Sequence, residues 1–410
     1  MNRPNVPPPS ALVAVLGDLG RSPRMLNHAR RLLARGWTVT LAGLRETELP
    51  ADLAAHAGVR VLGVDLEVEA EGAPRARARW RLLRLLAAQR PDWRLAIVQN
   101  PPGFPVLLAL ALARWRRRGA RRTTVVVDWH NLGHAVFAHA GRGPAGVALY
   151  RRLEFSVARR ADAHWAVSAA LAAHVTRELG GVPVTVLRDE PPAALCRAAS
   201  VTGDRLDWWR ETLPGIAPPP DGPWLVMPSS WTRDERTDWL LAAIRTIAAG
   251  EVGWPERRRL TVIATGRGAG RAAFTAAFPA QPQVALRSAW LPAAAYAELL
   301  GHADAGLCLH GSASGLDLPM KLADLRGAGL PAIACDYGPV VREVFSPGAH
   351  GWPVRDAREL AAVLATLAGQ PPPRRAFTGD TWETAWKAVE PLVARLEGEA
   401  IERRSDPAAK

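Results

Sequence analysis

The sequence predicts an α/β protein built from two domains, each a parallel sheet covered by helices on both faces. Three observations predict it. Short β-branched runs alternate with alanine- and leucine-rich segments through most of the chain. At 410 residues the chain exceeds one ordinary hydrophobic core. A stretch rich in proline, alanine and charge, residues 189–221, separates two halves that repeat the same scheme.

In the first half the expected strands are Leu12–Leu16, Thr38–Ala42, Val59–Val64, Leu95–Gln99, Thr124–Asp128, His164–Val167 and Val184–Leu187. In the second they are Trp224–Met227, Leu260–Ala264, Gln283–Leu286, Ala305–Leu309 and Pro331–Ala334. Two Rossmann-like domains in tandem, with a cleft between them, follow. The expected divisions are a disordered lead at 1–10, a first domain at 11–192, a linker region at 193–221, a second domain at 222–375, a C-terminal helix at 376–400 and a tail at 401–410.

Cys196, Cys308 and Cys335 are odd in number, widely spaced and without a Cys-x-x-Cys pair, which disfavours disulfides and cysteine zinc sites and fits a reducing cytosol. The polar, proline-rich Met1–Ser10 lacks a secretory signal's basic start and apolar core. The longest apolar run, Phe104–Ala113, is about half of what a spanning helix needs. Trp115 and Arg116, Arg117 and Arg118 follow it.

The net charge of +13 is uneven. Residues 1–200 carry 29 Lys and Arg against 15 Asp and Glu; residues 201–410 carry 23 against 24. The first half therefore attracts polyanions such as an anionic bilayer or nucleic acid. Residues 75–90 read as a basic amphipathic helix with Trp80, Leu82, Leu83, Leu85 and Leu86 on an apolar face, which suits a membrane surface or packing on a sheet.

Open parallel sheets bind ligands beyond the carboxyl ends of their strands, so the residues just after each strand matter most. Gly17-Asp18-Leu19-Gly20-Arg21-Ser22-Pro23-Arg24 follows the first strand and enters a helix near Ser22; it is not a Gly-x-Gly-x-x-Gly dinucleotide fingerprint. Gln99 and Asn100 offer amides to sugar hydroxyls. Asp128, His130 and Asn131 follow another strand, and His130 is a proton-transfer candidate; His130 and His134 lack the glutamate of the helix-borne zinc motif. In the second half, the loop 229–235 with Ser230 and Arg233, the loop Thr265–Gly268 with Gly266, Arg267 and Gly268, and the run His310–Gly327 offer hydroxyls, amides and cations. That run contains Lys321, one of only three lysines among 52 basic residues, together with Asp317 and Asp324. A lysine and two carboxylates around a Gly/Ser loop opening a helix suit a sugar diphosphate.

Six motifs in this order, Gly17–Met25, Gln99–Gly103, Asp128–Asn131, Ser230–Thr232, Thr265–Gly268 and Leu309–Lys321, resemble the chitobiosyldiphosphodolichol beta-mannosyltransferases. The resemblance implies a GT-B fold and transfer of a β-1,4-linked mannose from GDP-mannose to a lipid-diphosphate-linked GlcNAc acceptor, with inversion. It makes the first domain the acceptor domain, the second the nucleotide-sugar domain, and the last helix one that crosses back to the first domain, with Trp382 and Trp386 at that junction. Lys321 would meet the diphosphate and Asp324 the ribose, with Arg267, Gly266, Gly268, Ser230, His310, Ser314, Gly315 and Leu318 around the donor. Gly17, Gly20, Arg21, Arg24, Gln99, Asn100 and Asn131 would line the acceptor side. The family's hydrophobic membrane anchor is not in this sequence, and scarce lysine with abundant Ala, Arg, Gly and Pro suggests a GC-rich bacterial genome; peripheral attachment at the cytoplasmic face is expected.

The expected chemistry divides in two. Lys321, Arg267 and helix N-terminal amides stabilise the leaving diphosphate, with no metal or other cofactor required. A base on the first domain deprotonates the acceptor: His130 oriented by Asp128 ranks ahead of Asp18. A transferase using another nucleotide sugar on a bacterial glycan, and a non-catalytic membrane or nucleic-acid binder, are the alternatives; no nucleic-acid motif supports the latter. No oligomeric state follows from the sequence.

Overall fold

The computed structural model describes residues 8–67, 72–89, 92–116, 122–232, 234–345, 351–371 and 373–405. Most of the expected lead and half of the expected tail, together with Arg117, Arg118 and Arg233, lie outside the described residues. The chain divides into two compact units: residues 1–188 with 386–410, and residues 189–385.

Unit 1 holds a seven-stranded sheet of β1 (Ser10–Asp18), β2 (Thr38–Arg45), β3 (Val59–Asp65), β4 (Leu95–Asn100), β5 (Thr124–Trp129), β6 (Ala163–Ala166) and β7 (Thr185–Val186), in the order β3-β2-β1-β4-β5-β6-β7. Unit 2 holds β8 (Trp224–Pro228), β9 (Leu260–Thr265), β10 (Val284–Ala289), β11 (Ala305–Cys308), β12 (Ala332–Cys335) and β13 (Gly351–Val354), in the order β10-β9-β8-β11-β12-β13. Neighbouring strands pair in parallel in both sheets. Parallel strands covered on both faces must be apolar throughout, which is why β8 and β9 are buried along their whole length. Each order reverses once, between β1 and β4 and between β8 and β11, which opens a crevice at the carboxyl edge of the sheet.

The helices start where their sequences direct. Pro23 occupies the first turn of helix Pro23–Ala34, where its missing N–H costs no hydrogen bond. Ser168, Asp204 and Asp356 cap helices Ala169–Glu178, Arg205–Thr212 and Ala357–Gly369 by accepting from backbone N–H groups, each worth about 1 kcal/mol.

Three expectations need correction. The 193–221 segment forms helices Ala193–Ala198 and Arg205–Thr212 within unit 2, where Trp209 is fully buried edge-on against Trp224 at 5.5 Å. The strand Gly351–Val354 was not expected, because its Gly-Trp-Pro-Val sequence breaks the β-branched pattern. The expected C-terminal helix at 376–400 is interrupted: Trp382–Ala385 belongs to unit 2, while helix Glu390–Ser405, with Pro391 in its first turn, belongs to unit 1. There Glu397 accepts from Arg35 and Trp37.

Candidate functional site

In unit 2, a cavity of ≈ 200 Å³ lies at the carboxyl ends of β8, β9 and β10, lined by Pro228, Ser229, Thr265, Gly266, Trp290, Leu291, Tyr296, Lys321 and Asp324. Helix Met320–Gly327 brings Lys321 and Asp324, three residues apart, to the same wall. The Lys321 ammonium pairs with Glu235, whose carboxylate also accepts from the Ser229 hydroxyl and from the Ser230 N–H at 2.9 Å. Glu235 is buried and anchors the lysine. Sequence reading missed it because it sat unremarked at the end of the 229–235 loop. Asp324 accepts a 3.4 Å hydrogen bond from the Tyr296 hydroxyl. Burial pushes its carboxyl up to about 7; the Asp189 charge adds to the rise, while Tyr296 and Lys321 oppose it.

Glycines in the β9 loop are required by close backbone approach. Gly266 has φ 102° and a Cβ there would strike the Ser229 carbonyl; one on Gly268 would strike the Ser230 carbonyl and Trp231. The partner loop is itself unusual, since Trp231 adopts φ 59° with its ring buried 5.2 Å from Phe274. Gly266 therefore lines the cavity, whereas Gly268 serves loop packing. Arg267 is exposed and places its guanidinium 3.7 Å from the Trp290 ring centroid. Trp290, absent from the sequence-based candidates, supplies an aromatic wall beside the cavity.

The run after β11 builds a hydrogen-bonded loop. Asp317, unassigned from sequence, organises it: its carboxylate accepts from His310 Nε2 at 2.9 Å and from the Ser312 hydroxyl, and its carbonyl accepts from the Tyr337 hydroxyl at 2.9 Å. Burial opposes charge on His310, but the hydrogen bond to Asp317 and the Asp317 and Asp234 charges outweigh it and raise the imidazole above its ordinary value. Ser314 accepts from the Leu316 N–H, Gly315 has φ 72°, and Leu318 is buried. These four shape the loop, and none of them lines the cavity.

In unit 1, the Asp128 carboxylate is fully buried at the end of β5 and collects four donors. Arg24 grips it through Nε at 2.8 Å and Nη2 at 2.7 Å, His28 Nε2 lies at 3.2 Å and His130 Nε2 at 3.0 Å. Burial works to raise this carboxyl, but the Arg24 and His130 charges and hydrogen bonds hold it well below its usual range. An ionised Asp128 only accepts, so both imidazoles present Nε2–H to it. Independently, the Trp386 indole donates to His28 Nδ1 at 3.1 Å, which fixes the same tautomer. Burial lowers the His28 pKa, with Asp128 opposing, and keeps the ring neutral. His130 is partly exposed.

Three sequence-based assignments change here. Arg24 is buried and committed to Asp128 and the Leu187 carbonyl, so it is withdrawn from any acceptor phosphate. Asn100 is buried and serves Asn131, Glu154 and Gly103. Asp18 accepts from the Gly20, Glu46 and Thr47 N–H groups and the Thr47 hydroxyl, which makes it an anchor tying the β1 loop to β2. Gly20 is required there because a Cβ would collide with Thr47. Gly17, Arg21, Gln99 and Asn131 stand at the ends of β1, β4 and β5, with Arg21 exposed and the Gln99 and Asn131 side chains partly buried. Glu154, another residue not singled out from sequence, is buried and accepts from Asn100, from the Gly133 and His134 N–H groups and from the His134 ring. His130 and His134 thus face different carboxylates. Among the described residues no group of three or more His, Cys, Asp or Glu is placed to hold a metal ion.

Residues 20–189 match the glycosyl transferase 4-like domain. The chain is 30% identical to the chitobiosyldiphosphodolichol beta-mannosyltransferase of Yarrowia lipolytica over 96% of this chain and 88% of that one, and 29% identical to that of Mus musculus over 87% and 80%. It is 31% identical to the Arabidopsis thaliana UDP-glycosyltransferase TURAN over 87% and 88%. In fold it resembles a Rickettsia africae glycosyltransferase (TM-score 0.62, 14% identity, 95% and 98% covered) and Anabaena HepE in complex with UDP-glucose (TM-score 0.62, 14% identity, 94% and 99% covered). Two parallel-sheet units and a relationship that runs through nearly the whole sequence lead to one conclusion: the chain is a GT-B hexosyltransferase and belongs to the chitobiosyldiphosphodolichol beta-mannosyltransferase family.

Proposed function

We propose that this enzyme transfers mannose from GDP-mannose to a lipid-diphosphate-linked GlcNAc acceptor, forming a β-1,4 bond with inversion. The observation that carries the donor half is that Lys321 and Asp324, from one helix, line the same cavity as Trp290. A diphosphate needs a cation held in advance, and Glu235 holds Lys321 there. Ribose hydroxyls need an acceptor, which Asp324 supplies when ionised, and a nucleobase needs a flat apolar face, which Trp290 offers. Preorganised contacts of this kind contribute about 3 kcal/mol each to a transition state.

In the reaction, an acceptor hydroxyl attacks the anomeric carbon, the bond to the phosphate oxygen breaks, and GDP leaves as the hydroxyl proton passes to a base. His130 Nδ1 is assigned that proton because Asp128 holds the opposite nitrogen protonated. No metal ion is assigned a role: Lys321 and backbone N–H groups take the diphosphate charge. Action at the cytoplasmic face of a membrane accords with the three free cysteines and with relatives named for a dolichol-linked substrate.

A second donor is favoured by one observation, the relative named as a UDP-glycosyltransferase. The test incubates the protein with a panel of nucleotide sugars and a synthetic GlcNAc-GlcNAc-diphosphate lipid. GDP-mannose is expected to give a product whose new sugar a β-mannosidase removes. Transfer only from a UDP-sugar moves the assignment to the second donor, and no transfer from any donor rejects the acceptor.

A further inference from the structure

We infer that one helical face of unit 1 is a docking surface for an anionic lipid bilayer. Right-handed crossovers place helices Ala73–Ala88, Phe104–Arg116 and Pro144–Ala158 on the same side of the sheet, and they pack side by side. Their inward residues, such as Leu82, Leu86, Leu110 and Phe155, are buried. Their outward residues include large apolar side chains. Trp80 is 68% exposed; Leu108, Leu112 and Trp115 form an exposed stripe at i, i+4 and i+7; Leu149 repeats the pattern at 58%. Of ten large apolar side chains exposed among the described residues, eight lie on these helices and on the adjoining Gly133–His139. Such clustering marks an interaction site.

Charge identifies the occupant. Helices Ala73–Ala88 and Phe104–Arg116 contain seven arginines and no acidic residue. Arg77, Arg81 and Arg84 are exposed and fall between Trp80 and Leu85 within an arc of about 140°, given a turn of 3.6 residues. Arg75 pairs with Glu46, and the exposed Arg77, Arg81 and Arg84 interleaved with tryptophan and leucine match an interface where acyl chains lie beneath anionic headgroups. A second copy of this face would meet it with like charge, which excludes a symmetric dimer through the same surface. The inference rests on the proposed lipid-linked acceptor only for its purpose; the surface stands on exposure and charge.

Co-sedimentation of the full chain with phosphatidylcholine vesicles, alone or mixed with phosphatidylglycerol, tests it. Binding is expected only to the mixed vesicles and falls as salt rises. Replacing three arginines (Arg77→Gln, Arg81→Gln and Arg84→Gln) weakens it about a hundredfold, at roughly fivefold per charge. Trp80→Ser with Leu108→Ser weakens it at least about tenfold at unchanged charge. Both variants retain transfer to a short-chain, water-soluble acceptor. Equal binding to both vesicle types, unchanged binding in either variant, or a wild-type dimer that the Trp80 and Leu108 changes dissociate would overturn the inference. Composition-dependent binding without any mannose transfer would leave this surface intact and reject the proposed reaction.

Discussion

Asp128 in unit 1 and Lys321 in unit 2 both stand beyond the carboxyl ends of parallel strands, yet one is sealed and the other open. Asp128 accepts from a two-pronged arginine and two histidines, three of these bonds falling on Oδ2 and one on Oδ1, and it has no exposure. Lys321 borders a cavity and pairs with Glu235. A sealed charge network fixes geometry and tautomers; one that borders a cavity sets a charge where a ligand can reach it. The two centres therefore suit different work, proton handling in unit 1 and diphosphate binding in unit 2.

Breaking the sealed network has the largest expected effect. Asp128→Ala leaves the buried Arg24 guanidinium without its counter-charge, and urea unfolding should show a loss of about 3–5 kcal/mol. A loss below about 1 kcal/mol would mean that solvent reaches Arg24. In the open centre, Lys321→Ala should cost less stability, because Glu235 keeps its hydrogen bonds from the Ser229 hydroxyl and the Ser230 N–H, while reducing kcat/KM about a hundredfold or more in steady-state assays. Comparable losses of stability in both variants would erase the distinction between the centres.

Much of this was legible in sequence. The strands after which the candidates stand were all expected, because continuous apolar runs ending in Gly, Asp or Asn have few other readings. Asp128 as the partner of His130 and Lys321 with Asp324 on one wall also follow from position alone. What the sequence concealed were long-range partners. Arg24 and Asp128 are 104 residues apart, Lys321 and Glu235 are 86 apart, and His28 and Trp386 are 358 apart. An arginine after a glycine loop reads as a phosphate ligand until the fold buries it against a carboxylate. Glu154 and Trp290 escaped for the same reason: their roles exist only once separate loops are brought together.

Smaller effects sharpen the contrast. Trp386→Phe removes one of the two contacts that fix the His28 tautomer and should cost about 1 kcal/mol of stability. If the network positions His130, kcat falls while the KM for donor does not; a rise in donor KM with constant kcat would place Trp386 outside that chain of contacts. The pH response should differ in sign between the units. His28 is neutral when folded, so its contribution is lost as pH falls below its ordinary value of 6.5. Asp324 holds its proton more tightly folded than unfolded, so stability declines as pH rises from 3.8 to about 7. Thermal unfolding of Asp324→Asn beside the wild type should show the variant gaining relative stability across that range and no further above it. Parallel curves would remove Asp324 from the set of strained groups.

The division of labour is tested most directly by titrating GDP-mannose into the wild type, Lys321→Ala and His130→Ala in a calorimeter. Binding about a hundredfold weaker in Lys321→Ala, and unchanged in His130→Ala despite its lost turnover, is the expected result. Undiminished binding by Lys321→Ala, or weakened binding by His130→Ala, would contradict the assignment of the donor to unit 2 and of the proton to unit 1.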